Sequence, residues 1–170
     1  MQIPLIFSTV TGNAFKLAEK VKPYVKGGIG PYNITWLRDD VKECDTYILF
    51  YWCYRGTVDP DTQKLLGDSK GKKIIILGTL GADPNKPYYE KVYQNVVDLV
   101  NQQNICLGHF LCRGAIDLVR TSKRLSIPEG EKGHLSLERF EDQKRSQGHP
   151  DEIDYKNAID FIKSFFNDKE

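Results

Sequence analysis

The sequence is poor in the residues that build disulfide frameworks and metal centres. It has only four cysteines, at positions 44, 53, 106 and 112, and three histidines, at positions 109, 134 and 149. No two cysteines form a C-x-x-C pair, and no histidine has a cysteine or an acidic residue at catalytic spacing. The pattern therefore argues against a disulfide scaffold, a structural zinc site and a histidine-based catalytic centre.

The sequence also lacks an excess of one charge and any long apolar run. Lys and Arg number 24 against 23 Asp and Glu, so the net charge is +1 and gives no reason to expect nucleic acid as a partner. No apolar run approaches the roughly 20 residues of a membrane span, and the first residues do not resemble a signal peptide. We therefore expect a cytoplasmic protein without membrane contact, in which residues 1–170 form one domain with its own core.

Continuous apolar runs alternate with helical patterns. Most of these runs do not alternate with polar residues, which is typical of strands buried on both faces of a parallel sheet. The runs cover residues 3–7, 34–37, 46–52, 73–78 and 105–111, of which 34–37 is mixed and suggests an edge strand. Helices are predicted over residues 13–22, 60–67 and 89–100, and from a cap at Asp151 to Phe166. The alternation predicts an α/β fold of three layers, an α/β/α sandwich.

A long segment, residues 113–149, interrupts this alternation before the last helix. Its first residues carry four cations and one acid, Arg113, Arg120, Lys123, Arg124 and Asp117. The plain interpretation is a solvated helix face. The alternative is a docking surface for an acidic partner protein, because charge complementarity governs partner choice and the rate of association.

The most specific motif is STVTGN at residues 8–13, where the first strand ends and the first helix begins. A helix start offers unpaired N–H groups and a positive dipole end, so it stabilises a phosphate without Lys or Arg. Gly12 allows close approach of a ligand, and Asn13 can tie the loop together. The other common phosphate-binding motifs do not apply, because GxGxxG does not follow the first strand and GxxxxGK[ST] does not occur in the sequence. Taken by itself, the segment of residues 8–13 could also be a simple helix cap.

Two further loops follow predicted strands. Residues 51–56 read YWCYRG, and residues 78–83 read GTLGAD and are followed by Tyr88 and Tyr89. In open α/β sheets, ligands bind outside the carboxyl ends of the strands, where aromatic side chains can stack on a planar ring. Tyr51 continues the strand pattern and is better explained as a core residue, whereas Trp52 and Tyr54 follow the run.

Together, these loops make the sequence resemble the flavodoxins over about residues 3–111 and the last helix. Residues 8–13 are close to the family's T-x-T-G-N-T motif, although Ala14 replaces its last hydroxyl residue. The resemblance implies a five-stranded parallel sheet of order 2-1-3-4-5 that binds FMN. It places the phosphate and the two sides of the isoalloxazine on these residues: Ser8, Thr9, Val10, Thr11, Gly12, Asn13, Ala14, Trp52, Cys53, Tyr54, Arg55, Gly56, Thr79, Leu80, Gly81 and either Tyr88 or Tyr89.

The resemblance also implies one-electron chemistry through a stabilised flavin semiquinone. In the family, a peptide beside the flavin turns when the flavin is reduced, and Gly56 is the residue predicted to allow this. Arg55 departs from the acidic surroundings of typical flavodoxins, and we expect its guanidinium to stabilise the reduced, anionic flavin. Cys53 beside the flavin is interpreted as a small packing residue, with a redox-sensitive thiol as the alternative.

The function expected from the resemblance is electron transfer with a partner oxidoreductase that docks near Arg113, Arg120, Lys123 and Arg124. The segments that begin at Arg113, His134 and His149 are similar to bacterial flavodoxin-like proteins found beside bilirubin reductases. The first alternative is an NAD(P)H-dependent FMN reductase or quinone oxidoreductase of the same fold, with residues 113–149 as a cleft wall. The second is a module that binds another anion.

Overall fold

The computed structural model describes residues 1–167 and shows a parallel sheet with helices on both faces. The strands are β1 (Ile3–Phe7), β2 (Gly28–Asn33), β3 (Thr46–Tyr54), β4 (Thr57–Val58), β5 (Lys73–Leu80) and β6 (Ile105–Arg113). The helices are α1 (Asn13–Val21), α2 (Asp39–Lys42), α3 (Pro60–Asp68), α4 (Pro87–Val100), α5 (Leu118–Ser122), α6 (Leu137–Lys144) and α7 (Glu152–Phe166). Short 3₁₀ helices lie at Lys22–Tyr24, Ile34–Trp36 and Lys123–Ser126.

The sheet order is β2-β1-β3-β5-β6, and every pairing along this path is parallel. Counted over these five strands, the order is the predicted 2-1-3-4-5. The sixth strand, β4, pairs antiparallel with the end of β3 and lies off this path. The predicted α/β/α sandwich is therefore confirmed, with one short hairpin strand added.

The core lies on both faces of the sheet, which explains the continuous apolar runs. On β3, Ile48 and Phe50 face α1 and α7, whereas Leu49 and Tyr51 face the layer that contains α3 and α4. The side chains of β5 divide between the same two core clusters. Because both faces of each central strand are covered, successive residues are apolar rather than alternating with polar ones.

The prediction of a strand at residues 34–37 is wrong. Those residues begin a 3₁₀ helix at Ile34–Trp36, and the edge strand precedes it at Gly28–Asn33. The Asn33 side chain accepts a hydrogen bond from the N–H of Thr35 and so caps the 3₁₀ turn. Pro31 lies within β2, which fits an edge strand because proline cannot donate a ladder hydrogen bond.

No helix among residues 1–167 is both long enough and apolar enough to cross a lipid bilayer.

Candidate functional site

The loop after β1 ends in a helix start that no side chain of the described residues caps. Gly12 precedes α1 with φ +89°, and the first turn of α1 has no acidic residue. The N–H of Gly12 donates to the hydroxyl of Thr9 at 2.9 Å, so the loop closes on itself. A Cβ built on Gly12 would meet no atom within 4 Å, so the space beside it is open. The first N–H groups of α1 are thus directed to a position that suits an anion.

The loop after β3 is a tight hairpin. Strand β3 extends to Tyr54, two residues beyond the predicted end at residue 52. Trp52 and Tyr54 therefore both belong to the strand, and Arg55 and Gly56 form the turn into β4. The rings of Trp52 and Tyr54 meet edge to face at 5.5 Å, and the Arg55 guanidinium lies 5.2 Å from the centre of the Tyr54 ring. The hairpin therefore presents an aromatic and cationic surface.

The loop after β5 brings Tyr88, and not Tyr89, to this edge of the sheet. The hydroxyl oxygen of Tyr88 lies 3.5 Å from the position of a Cβ on Gly56. Tyr89 instead packs in the core and donates its hydroxyl to the carbonyl of Leu111. Burial also raises the pKa of Tyr89, so this hydroxyl stays protonated.

One cleft of about 1140 Å³ collects these loops at the carboxyl ends of the strands. Its lining contains eleven of the residues predicted from the sequence: Val10, Thr11, Asn13, Trp52, Cys53, Tyr54, Arg55, Thr79, Leu80, Gly81 and Tyr88. Six predicted residues do not line it: Ser8, Thr9, Gly12, Ala14, Gly56 and Tyr89. Of these, Thr9 and Gly12 are hydrogen-bonded to each other within the loop, and Ala14 is buried on the inner face of α1.

The segment of residues 113–149 contributes many of the residues that line the cleft. Asn13 donates its side-chain N–H to the carbonyl of Ala115 at 3.1 Å, which fixes this segment to the loop after β1. The N–H of Ile116 donates to the Ser146 hydroxyl, which joins the two ends of the segment. The cleft-lining residues that the segment contributes include Arg120, Arg124, Arg139 and Gln143.

The flavodoxin domain family matches residues 4–163, almost the whole chain. The chain belongs to the flavodoxin family. A curated relative, the flavodoxin-like domain-containing protein BilS of Clostridioides difficile (strain CD3), is 26% identical in an alignment 169 residues long that covers 96% of this chain and 96% of the relative. Membership of the family makes this chain an FMN-binding, flavodoxin-like protein.

Solved structures share the fold at low sequence identity. Oxidised flavodoxin 1 from Bacillus cereus is 13% identical, with a TM-score of 0.60 over 98% of this chain and 97% of that chain. The azoreductase AzrA is 9% identical, with a TM-score of 0.56 over 97% of this chain and all (100%) of that chain. At these identities the likeness is one of fold alone.

Two predicted side chains of this flavodoxin domain have structural roles. Ser8 was expected to offer its hydroxyl to a phosphate, but it is buried and donates to the Asp59 carboxylate at 2.7 Å. Arg113 was expected at the docking surface, but it is also buried, donates to the carbonyls of Gly81 and Asp142, and joins β6 to α6. Arg113 therefore drops out of the predicted docking surface, whose other cationic residues, Arg120, Lys123 and Arg124, are exposed.

Cys53 lines the cleft as a protonated thiol. Burial raises its pKa to about 11, against a weaker lowering effect of a hydrogen bond with the backbone of Gly56. Because the thiolate is the reactive form, this environment favours the packing interpretation over a redox-sensitive thiol.

Asp59 was missed by the sequence analysis, although an acidic residue directly before Pro60 is a recognisable helix start. Its carboxylate is fully buried at the N-terminus of α3. It accepts hydrogen bonds from the Ser8 hydroxyl, the N–H of Thr62 at 3.0 Å and the hydroxyl of Thr62 at 2.8 Å. Asp59 therefore joins the loop after β1 to α3.

We expect Asp59→Ala to lower the free energy of unfolding by about 2 kcal/mol, because it removes the helix cap and leaves buried donors unpaired. Urea unfolding at pH 7 measures the change. The control is Asp61→Ala, which removes an exposed carboxylate from the first turn of the same helix and should cost no more than about 1 kcal/mol. Equal losses in the two variants would contradict a special role of Asp59.

Proposed function

We propose that the chain carries electrons one at a time between FMN and a partner oxidoreductase. The observation that carries the proposal is the uncapped start of α1, which opens beside a cleft with aromatic walls. A phosphate at this position gains N–H donors and the positive end of the helix dipole, while Trp52, Tyr54 and Tyr88 offer aromatic surfaces to a planar ring in the cleft. When bound, FMN supplies the redox chemistry, and the chain binds the cofactor and adjusts its reduction potential.

Each loop has a role in this proposal. The residues of the loop after β1, from Thr9 to Asn13, hold the phosphate through backbone N–H groups and the Thr11 hydroxyl, and Ser8 supports them through Asp59. Trp52, Tyr54 and Tyr88 flank the ring. Cys53, Thr79, Leu80 and Gly81 line the remaining surface, and Arg55 supplies a positive charge for the reduced cofactor.

The proposed partner docks beside the cleft on Arg120, Lys123 and Arg124. Arg120 and Arg124 also line the cleft, so a partner bound there lies close to the cofactor. The carboxylate of Asp117, the acidic residue of this stretch, accepts a hydrogen bond from the N–H of Arg120 as the cap of α5. Three cations thus face one carboxylate on this stretch, so the surface suits an acidic partner. A cytoplasmic location remains part of the proposal.

FMN and riboflavin titrations of the wild-type chain and of Gly12→Ala test the proposal. We expect FMN to bind more tightly than riboflavin, and Gly12→Ala to weaken FMN binding about tenfold because a side chain is strained at φ +89°. The matched control is Gly71→Ala, at φ +69° with no atom within 4 Å of its Cβ and outside the cleft, which should keep wild-type affinity.

An anaerobic reductive titration of the FMN-loaded chain then separates the alternatives. Appearance of the absorption spectrum of one-electron-reduced FMN during the titration supports the proposal that the chain is an electron carrier. Direct conversion to the two-electron-reduced spectrum, together with NAD(P)H oxidation by this chain alone, would replace the proposal with a stand-alone reductase. Absence of FMN binding would leave only a module for another anion.

A further inference from the structure

The hairpin turn beside the cleft has an unusual backbone conformation. Arg55 and Gly56 have φ values of 50° and 80°, and Arg55 is the one non-glycine residue with positive φ among residues 1–167. Two consecutive positive φ values are typical of tight two-residue hairpins, and here Tyr54 lies opposite Thr57 in the ladder. A side chain in this region is disfavoured, so neighbouring contacts must help to hold the turn.

Helix α4 provides such contacts at two positions on one face. The side-chain N–H of Asn95 donates to the carbonyl of Gly56 at 2.9 Å. Tyr88, seven residues earlier and therefore about two helical turns away, lies against the same glycine. The helix itself is firmly placed, because Val92 and Val96 on its inner face are completely buried.

The carbonyl that Asn95 holds is directed towards α4. Neither Asn95 nor Gly56 lines the cleft, although Tyr54 and Arg55, which immediately precede Gly56, do line it. Rotation of the peptide between Gly56 and Thr57 would turn this carbonyl away from α4, and it would break both the hydrogen bond from Asn95 and the pairing of Thr57 with Tyr54. The carbonyl of this peptide is thus held by one side chain, whereas its N–H belongs to Thr57, which pairs with Tyr54 in the hairpin ladder.

We propose that Asn95 is a positioning residue that holds the Gly56 carbonyl away from the cofactor and thereby lowers the potential at which FMN accepts its first electron. This inference rests on the proposed function. When bound, FMN would take up one electron from the reductant and one proton from water, and this would give the flavin a new N–H group. A carbonyl that turns to accept this N–H must first leave Asn95, so the hydrogen bond favours the oxidised cofactor.

The variant Asn95→Leu tests the inference, because it removes the donor from an exposed helix position without changing the core. One hydrogen bond of this kind corresponds to a threefold to tenfold change in an equilibrium. A tenfold change equals 59 mV for one electron, so we expect the first potential of the variant to rise by about 30 to 60 mV. The matched control is Gln94→Leu on the same helix, since Gln94 donates to Asp98 and not to the turn.

Amide hydrogen exchange of the FMN-free chain gives a second readout that needs no cofactor. Thr57 contributes the N–H of the same peptide, so we expect its exchange to be several-fold faster in Asn95→Leu than in Gln94→Leu, with unchanged exchange along β5. A potential and a Thr57 exchange rate that both equal those of the control would overturn the inference. A uniform acceleration along the whole chain would also overturn it, because it would show general destabilisation.

These measurements also distinguish the inference from the function on which it rests. If the wild-type chain binds no FMN, the proposed function fails. If it binds FMN and stabilises the one-electron-reduced state while Asn95→Leu behaves like the control, the function stands and the role of Asn95 is rejected.

Discussion

Gly78→Ala is expected to lower the free energy of unfolding by about 3 to 4 kcal/mol. Gly78 lies on β5 beside Tyr51 of β3, and a Cβ built on Gly78 would lie 2.1 Å from the Cζ atom of the Tyr51 ring. The ring is completely buried and cannot move to solvent. An added methyl group therefore forces strain on the core and displaces the Tyr51 hydroxyl from its buried partner His109, and both effects are costly.

Chemical denaturation measures this loss, and Gly67→Ala is the matched control. Gly67 lies within α3, has no positive φ, and its Cβ would meet no atom within 4 Å. Alanine is a better helix former than glycine, so the control should be as stable as the wild type or more stable by up to about 1 kcal/mol. Comparable losses in both variants would show that the Tyr51 ring does not determine the effect.

A double-mutant cycle with Tyr51→Leu identifies the ring as the cause. Leucine keeps an apolar group on β3 but lacks the atoms that approach Gly78. In this background, we expect Gly78→Ala to cost less than about 1 kcal/mol, so the coupling energy between the two sites should exceed about 2 kcal/mol. Additive losses would contradict the proposed contact.

The layers and the site loops were predictable because their signals are local. The apolar runs at β1, β3 and β5 reflect burial on both faces, and the motif at residues 8–13 lies at a strand-to-helix junction. The run at β6 was predictable from its composition, although β6 is an edge strand on which Ile105 and Leu107 are exposed. The strand β2 was not predictable in this way. Its sequence, GIGPYN, contains two glycines and a proline and is held mainly by pairing with β1, whereas the apolar residues 34–37 have a better strand composition.

The contacts that fix the site could not be predicted because they join residues far apart in the chain. Ser8 and Asp59 are separated by 51 positions, and Asn95 and Gly56 by 39. Composition and periodicity contain no information on such pairs. The choice between Tyr88 and Tyr89 was open for a different reason. Both lie in the first turn of α4, and the rotation of the helix about its own axis decides which of the two side chains faces the cleft.

His109 is expected to make the stability of the chain depend on pH between about 6.5 and 4. The side chain is buried in β6, where it stacks on Tyr93 at 4.4 Å. Its Nδ1 lies 3.2 Å from the carbonyl of Tyr93 and therefore donates, so its Nε2 accepts from the Tyr51 hydroxyl at 2.8 Å. The neutral ring satisfies both partners, whereas a protonated ring would donate from Nε2 to the Tyr51 oxygen and leave the buried Tyr51 hydroxyl hydrogen without its acceptor.

Burial lowers the pKa of His109 from 6.5 to about 4 in the folded chain. Between about pH 4 and 6.5, His109 therefore binds a proton in the unfolded chain but not in the folded chain, so the free energy of unfolding rises with pH across this range. The contribution is complete above about pH 6.5 and is lost as the pH falls towards 4, by about 3 kcal/mol in total. Urea unfolding of wild type and of His109→Gln at several pH values should show a smaller loss on acidification in the variant.

The matched control for this experiment is His134→Gln. His134 lies in the segment of residues 113–149, is only partly buried, and its Nδ1 is hydrogen-bonded to the carbonyl of Ile127 at 2.7 Å. Carboxylates also titrate in this pH range, but they are the same in all three proteins. Their contribution to the pH dependence of the free energy of unfolding therefore cancels when each variant is compared with the wild type. We expect His134→Gln to follow the wild-type curve and His109→Gln to depart from it below pH 6.5. Parallel curves for all three proteins would show that His109 is not held neutral by the fold.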